Sequence, residues 1–177
     1  MFLKLKGGTH EELYDYLRSG KIDVAFSDLR RVPSEQYVNF YLTRGDVYVK
    51  IVRSSPLAAL AEVTVDELKN TPCILVTSLR ETTREEMFYR EYLGIKSEFI
   101  FAESMEEACL MVLSGQGYLP VEFCVLPKEA EDTCYLPLMN GESRLYRDYY
   151  AFWRVDNTKP HLKDFADFLK KFFPENP

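Results

Sequence analysis

The sequence predicts an α/β fold of two similar lobes with mostly parallel sheets, and three observations lead there. The first is an internal repeat. Leu5 to Val24, LKGGTHEELYDYLRSGKIDV, is echoed by Phe99 to Pro120, FIFAESMEEACLMVLSGQGYLP. Thr9 matches Ser104, Glu11 matches Glu106, Glu12 matches Glu107, Ser19 matches Ser114 and Gly20 matches Gly115, each pair 95 positions apart without a gap. The second is what the matched residues do. Thr9-x-x-Glu12 and Ser104-x-x-Glu107 read as capping boxes, in which the hydroxyl accepts from the N3 amide and the carboxylate reaches back. Gly20 and Gly115 sit where a helix stops. Apolar stretches flank each helix, so each copy reads strand, capped helix, strand, the unit of a parallel sheet. The third is a pair of strands, Asp46 to Arg53 and Tyr146 to Arg154, that lead out of the first half and back into it. They imply a discontinuous first lobe, residues 1–71 with 146–177, and a continuous second lobe, 72–145, with a cleft between them as the default ligand site.

Taken in order, Phe2 to Lys6 alternates and reads as the first strand. The first repeat helix follows, with Leu13, Tyr14 and Leu17 on one face, and leads into a strand over Ile22 to Phe26. Ser27 to Glu35, with Pro33, reads as a polar loop. Tyr37 to Leu42 and Asp46 to Val52 read as two strands separated by Thr43-Arg44-Gly45. The second alternates, so one of its faces meets solvent. Ser54 to Ala58 is a turn. Thr64 and Glu67 form another capping box on a short helix that Thr71-Pro72 breaks. Cys73 to Val76 is short and fully apolar, as inside a parallel sheet. A polar loop from Thr77 to Thr83 leads to a helix over Arg84 to Leu93, stopped at Gly94. After the second repeat come an acidic loop (Pro127 to Thr133), a strand (Cys134 to Leu138), a turn at Asn140-Gly141 and an aromatic strand (Tyr146 to Val155) holding Trp153. The last helix starts near Pro160 and gathers Leu162, Phe165, Ala166, Leu169, Phe172 and Phe173 on one face. Its other face mixes charges, which fits core packing rather than a membrane anchor.

Composition narrows the function. The chain has 177 residues, 46% hydrophobic and 28% charged, within the ordinary range for a globular protein. A net charge of −6 argues against nucleic-acid binding by this chain alone, because such affinity rests on cations neutralising phosphates. The four cysteines, Cys73, Cys109, Cys124 and Cys134, show no CxxC spacing and fit a reduced, cytoplasmic chain. No apolar run is long enough to span a membrane, and the start of the chain reads as no signal peptide. Catalytic patterns are missing: His10 and His161 lie in no metal-spacing motif, there is no G-x-S-x-G, and no phosphate-cradling glycine loop. No cofactor is implied.

At this point the chain resembles the effector-binding domain of LysR-type transcriptional regulators. Leu17-x-x-Gly20-x-Ile22-Asp23-Val24-Ala25 resembles that family's L-x-x-G-x-[LI]-D-[LV]-A segment. Asp46-Val47-Tyr48-Val49 through Ser55-Pro56-Leu57-Ala58 is similar to its crossover strand and H-P-L-A, with Ser55 replacing the His. Val65-x-x-Leu68 followed by Pro72-Cys73-Ile74 resembles its short helix and entry to the second lobe. Val112 to Pro120 is similar to V-x-x-G-x-G-[IV]-x-x-L-P, one residue short before the Pro. The resemblance covers roughly residues 5 to 125. It implies the two-lobed periplasmic-binding-protein-like (type 2) fold, a small-molecule effector and a homodimer. DNA would be contacted only through a winged helix-turn-helix domain, and none precedes Met1. The family's first strand and helix of lobe one also have no counterpart here, which puts lobe-one packing and effector affinity in question and exposes a strand edge that a second copy would cover.

The candidate ligand-binding residues are Thr77, Ser78, Thr9, His10, Ser27, Asp28, Glu103, Ser104 and Gly117. Thr77 and Ser78 lie between a buried strand and a helix, where hydroxyls and free amides hold carboxylate or phosphate; they also match the polar pocket loop that the resemblance implies. The competing reading is that they only cap the helix. Thr9 and His10 open the first repeat helix, with a plain solvated first turn as the alternative. Ser27 and Asp28 follow a strand at its carboxyl end, where open α/β sheets bind ligands, and Asp28 disfavours an anion. Glu103 and Ser104 take the equivalent place in the second lobe, with Ser104 also explained as a cap. Gly117 permits close backbone approach or a simple turn. The reading that follows is a ligand-sensing regulatory domain and not an enzyme. Its alternatives are an enzyme or binding protein on the same fold, using a carboxylate or Cys109, and a dimerisation fragment with an incomplete cleft.

Overall fold

The computed structural model describes residues 4–8, 10–28, 34–77, 82–123 and 130–173, which fall into two compact units. Unit 1 takes Met1–Gly45 and Arg147–Pro177; unit 2 takes Asp46–Tyr146.

In unit 1 the first repeat helix forms as α1, His10–Arg18. It ends in two bonds that close the Schellman pattern: Gly20 N–H donates to Leu17 O at 3.2 Å and Lys21 N–H to Tyr16 O at 2.8 Å. Gly20 takes φ 66°, the left-handed region that a side chain disfavours. The chain then enters β1, Ala25–Asp28. The strand starts three residues and ends two residues later than the apolar run Ile22 to Phe26 suggests, so Ser27 and Asp28 belong to the strand end rather than to a loop.

β1 pairs antiparallel with β9, Tyr146–Arg154, in the register Ala25↔Phe152 to Asp28↔Tyr149. β9 in turn lies beside the first part of β2, Tyr37–Val52. The parallel partner expected for β1 was Phe2 to Lys6. Met1 to Leu3 lie outside the described residues, and Lys4 to Lys6 are exposed and form no strand. The sheet here is therefore antiparallel, which corrects the expectation of mostly parallel sheets. Alternation along β9 sends Phe152 to one face and Ala151 and Trp153 to the other. Phe152 joins Tyr14 and Leu17 of α1 with Ala25 and Tyr37. Ala151 and Trp153 join Leu42 with Leu162 and Ala166 of α4, His161–Lys170.

β2 is one strand of 16 residues, not two. Thr43 is buried, and Gly45 does not adopt positive φ, so Thr43-Arg44-Gly45 continues the extended backbone despite its turn-like composition. In unit 2 the remainder of β2 pairs antiparallel with β6, Leu119–Phe123, and with β7, Thr133–Asn140. Val47, Val49 and Ile51 are almost wholly buried and alternate with half-exposed Asp46, Tyr48 and Lys50. A one-residue slip would expose all three, at roughly 5–9 kcal/mol from about 1.5–3 per side chain, so register is firmly set.

β3, Val63–Thr64, pairs parallel with β7, and β8, Ser143–Arg144, closes a hairpin with it around Gly141 at φ 60°. The Thr64 box forms in full, Glu67 N–H donating to Thr64 Oγ1 at 3.2 Å and Thr64 N–H to Glu67 Oε2 at 2.8 Å. It caps only turns, because the chain bends again at Thr71-Pro72 before a second helical turn completes.

Parallel pairing appears where the second repeat predicts it. β4, Cys73–Val76, pairs with β5, Phe99–Ala102, and Cys73 bridges to Tyr118 in the same sense. α2, Thr82–Glu91, begins two residues before the expected Arg84. α3, Met105–Leu113, packs Ala108 and Val112 on Ile74, Ala102 and Leu119. It ends as α1 does, with Gly115 N–H on Val112 O at 2.9 Å, Gln116 N–H on Met111 O at 3.0 Å, and Gly115 at φ 75°.

A polar latch lies inside unit 2. Ser97 Oγ donates to Leu68 O at 2.9 Å and lies 2.9 Å from Tyr118 Oη. Burial pushes the neighbouring Cys73 thiol up to about 12. Of the acidic loop expected from Pro127 to Thr133, residues 127–129 lie outside the described residues, 130–132 are irregular and exposed, and Thr133 already begins β7.

Candidate functional site

Each unit gathers polar residues at the carboxyl ends of its strands. In unit 1, α1 places His10 at its first position, β1 ends on Ser27 and Asp28, and β9 begins beside them. Three of the predicted residues meet here. His10 Nδ1 lies 3.2 Å from Ser27 Oγ, His10 Nε2 lies 3.1 Å from Asp28 Oδ1, and Ser27 Oγ donates to Asp28 Oδ1 at 3.2 Å.

A fourth residue, Arg147, completes the cluster. Its Nη1 donates to Asp28 Oδ2 at 3.3 Å, with the Arg147 side chain only 4% exposed and that of Asp28 11%. The pair neutralises the charge that made Asp28 look hostile to an anion. Arg147 escapes a reading by composition because it sits in an aromatic strand. The signal for it is positional: it shares the face of Tyr149, Ala151 and Trp153, two of which are core, and a guanidinium on a core face requires a carboxylate partner.

Ser, His and Asp in contact invite comparison with a nucleophilic triad, and the geometry rejects it. The two N–H axes of an imidazole diverge, so in-plane partners of both nitrogens stand roughly 8 Å apart. Here the two oxygens are 3.2 Å apart. The ring therefore lies against the Ser27–Asp28 pair rather than in line between nucleophile and acid, as proton relay requires. What remains is a half-buried hydroxyl and imidazole on a neutralised ion pair.

In unit 2 the register Val76↔Ala102 sets Thr77 and Glu103 side by side where the parallel β4 and β5 end. Thr77 is buried, and its N–H donates to Ala102 O at 3.0 Å. Ser104 is the N-cap of α3, its Oγ accepting from Glu107 N–H at 3.1 Å. Glu107 reaches back one residue further than a capping box requires, its Oε2 accepting from Glu103 N–H at 2.7 Å. Two amides at this end are thus already taken by the helix's own side chains.

Gly117 acts by packing. A Cβ there would stand 2.3 Å from Pro72 O, in the closely drawn chain where Tyr118 N–H donates to that carbonyl at 2.9 Å. Thr9 and Ser78 lie outside the described residues. Cys109, on α3, is half-buried with Lys50 Nζ donating to its Sγ at 3.4 Å. Among the described residues no group of three or more His, Cys, Asp or Glu is placed to hold a metal, and no helix is long and apolar enough to cross a membrane.

Comparison with known proteins follows the same lines. The family described as LysR substrate binding domain matches residues 3–174. Among solved structures, the reduced form of the OxyR regulatory domain from Pseudomonas aeruginosa is similar at 20% identity and TM-score 0.72, over 92% of this chain and 79% of that one. Full-length CbnR complexed with target DNA is similar at 16% identity and TM-score 0.74, over 96% of this chain and 58% of that one. HinK, a LysR family transcriptional regulator from Pseudomonas aeruginosa, is similar at 20% identity and TM-score 0.72, over 94% and 58%. The chain thus spans about four-fifths of the OxyR regulatory domain and less than two thirds of CbnR and HinK. No curated protein matches the sequence.

Proposed function

The chain belongs to the LysR substrate-binding domain family, and from that premise we propose that it senses a small polar molecule through the loops at the carboxyl ends of its strands. The family is one of regulatory effector-binding domains rather than of enzymes. The observation that carries the proposal is the His10–Ser27–Asp28–Arg147 cluster, in which a buried ion pair underlies a hydroxyl and an imidazole at the end of β1. Thr77, Glu103 and Ser104 contribute from the ends of β4 and β5. Buried ion pairs are a costly way to stabilise a fold, so one at a strand end supports a recognition role.

Sensing here is population shift: an effector that binds one conformation more tightly favours it, with no bond made or broken. A DNA-binding domain attached to this one would read the shift out, and this chain's charge of −6 suits it poorly to touch DNA itself. The domain works in the cytoplasm as a homodimer. Exposed Met105, Leu110 and Leu113 on α3 support self-association.

The test is a thermal-shift screen against amino acids, small carboxylates, aromatic acids and sugar phosphates. A ligand at about 100 times its Kd stabilises by about 2.7 kcal/mol, or roughly 5–10 °C for a chain of this size. The shift is expected to disappear in Thr77→Ala/Ser78→Ala and to weaken in Ser27→Ala. Stabilisation untouched by both variants would overturn the assignment.

A further inference from the structure

A polar pocket lies in unit 1, at the opposite ends of α1 and β9 from the His10–Ser27–Asp28–Arg147 cluster. It has a volume of about 280 Å³ and is floored by Leu17 and Ile22, with Arg18, Asp23, Arg154 and Asp156 around it. Gly20 turns the chain away from α1 here, and nothing stands within 4 Å of where its Cβ would be, which leaves the space open. The α1 carbonyls contribute little, because Gly20 and Lys21 already donate to them. The polarity of the pocket is therefore that of its side chains.

Those side chains are balanced and incompletely used. Asp23 accepts from Lys159 Nζ at 2.7 Å and from Asn157 Nδ2 at 3.4 Å, and both bonds fall on Oδ1, leaving Oδ2. Arg154 grips Asp156 with Nε, at 2.8 Å, and Nη2, leaving Nη1. The hydrogen bonds from Lys159 and Arg154 hold the Asp23 and Asp156 carboxyls below their ordinary range, so both are anionic at neutral pH. Arg18 is tied to Asp15 by a single Nη2 contact. A ligand with one charge meets both signs here and gains little. A ligand carrying both, an ammonium for Asp23 Oδ2 and a carboxylate for Arg154 Nη1 and Arg18, matches the spare capacity of each. The apolar floor suits a short aliphatic group between them. The volume falls just below the roughly 300–1,000 Å³ of sites for drug-sized molecules, which indicates something smaller.

We propose that this pocket binds a small zwitterion of the aliphatic α-amino acid class, at a site separate from the His10–Ser27–Asp28–Arg147 cluster. The experiment is an amide-resolved NMR titration of the full chain with three probes of one shape: L-valine, isobutylamine, which lacks the carboxylate, and 2-hydroxy-3-methylbutanoate, which lacks the ammonium. L-Valine is expected to shift the Gly20, Ile22 and Asn157 amides saturably with a midpoint of about 1 mM, and each single-charge analogue to bind at least about tenfold more weakly. Arg154→Gln should raise the L-valine midpoint by about tenfold, and Arg18→Ala, at an exposed position that leaves the core intact, should raise it severalfold. Saturable binding by either analogue at the L-valine midpoint would overturn the proposal. So would an unchanged midpoint in both variants, or L-valine shifts confined to Ser27, Asp28 and Thr77. The last result would leave the proposed function standing.

Discussion

Replacing Arg147 by methionine removes the partner of a carboxylate that the fold has already taken out of water. The magnitude follows from burial. With the Asp28 side chain 11% exposed and that of Arg147 4%, the pair belongs to the buried class, where deleting one member costs about 3–5 kcal/mol. Ser27 Oγ at 3.2 Å still donates to the carboxylate, so the lower end, about 3 kcal/mol, applies. At roughly 2–4 °C per kcal/mol for a domain of this length, Tm should fall by about 6–12 °C. The assay is urea denaturation of the wild type, Arg147→Met, Asp28→Leu and the double variant. Because replacing both ions by apolar groups leaves no orphan charge, the double variant should lie within about 1 kcal/mol of the wild type, with a coupling energy above about 2 kcal/mol. An Arg147→Met cost below about 0.5 kcal/mol, or additive single effects, would refute the ion pair as described.

Other predictions follow from separate parts of the molecule. Gly117→Ala should destabilise by about 1–3 kcal/mol, since its Cβ would stand 2.3 Å from the Pro72 carbonyl, whereas Gly115→Ala, in open space at φ 75°, should cost only about 1 kcal/mol; equal costs in thermal melts would contradict the close approach. In the native protein at neutral pH, iodoacetamide should label half-buried Cys109 well before Cys73, whose thiol burial pushes up to about 12; peptide mass spectrometry showing comparable rates would mean that the unit 2 core opens. Asp23 is held below its ordinary 3.8, chiefly by the Lys159 hydrogen bond, so its contribution to stability is present above that value and is lost as pH falls through the lower folded value. Lys159→Met should therefore flatten the acid limb of the stability curve, and an unaltered limb would place the pair in solvent with no effect.

Local chemistry was legible in the sequence wherever it is settled within one turn. Both repeat helices end on left-handed glycines with the same two bonds, and the capping residues Ser104 and Thr64 bond as their spacing implies. β4 follows from its apolar run because a strand buried on both faces has no other composition. Strand partners were not legible. β1 could have paired parallel within its repeat or antiparallel with β9, and nothing in Ile22 to Asp28 distinguishes these, since alternation sets faces and not neighbours. The Thr43-Arg44-Gly45 break failed for the same reason: turn composition yields where both flanking segments are held in a sheet. At the site, the rule that ligands bind at strand carboxyl ends brought Ser27 and Asp28 into view, and the start of the first repeat helix brought His10, without their contacts. Arg147 lies 119 residues from Asp28, and only the fold joins them.

The central claim is that ligand recognition resides in the polar ends of the strands. The most direct measurement is an amide-resolved NMR titration with a compound that raises the melting temperature. The account predicts that the largest saturable shifts fall at Ser27 and Asp28 in unit 1 or at Thr77, Glu103 and Ser104 in unit 2. A stabilising compound that shifts only residues away from these strand ends would contradict it.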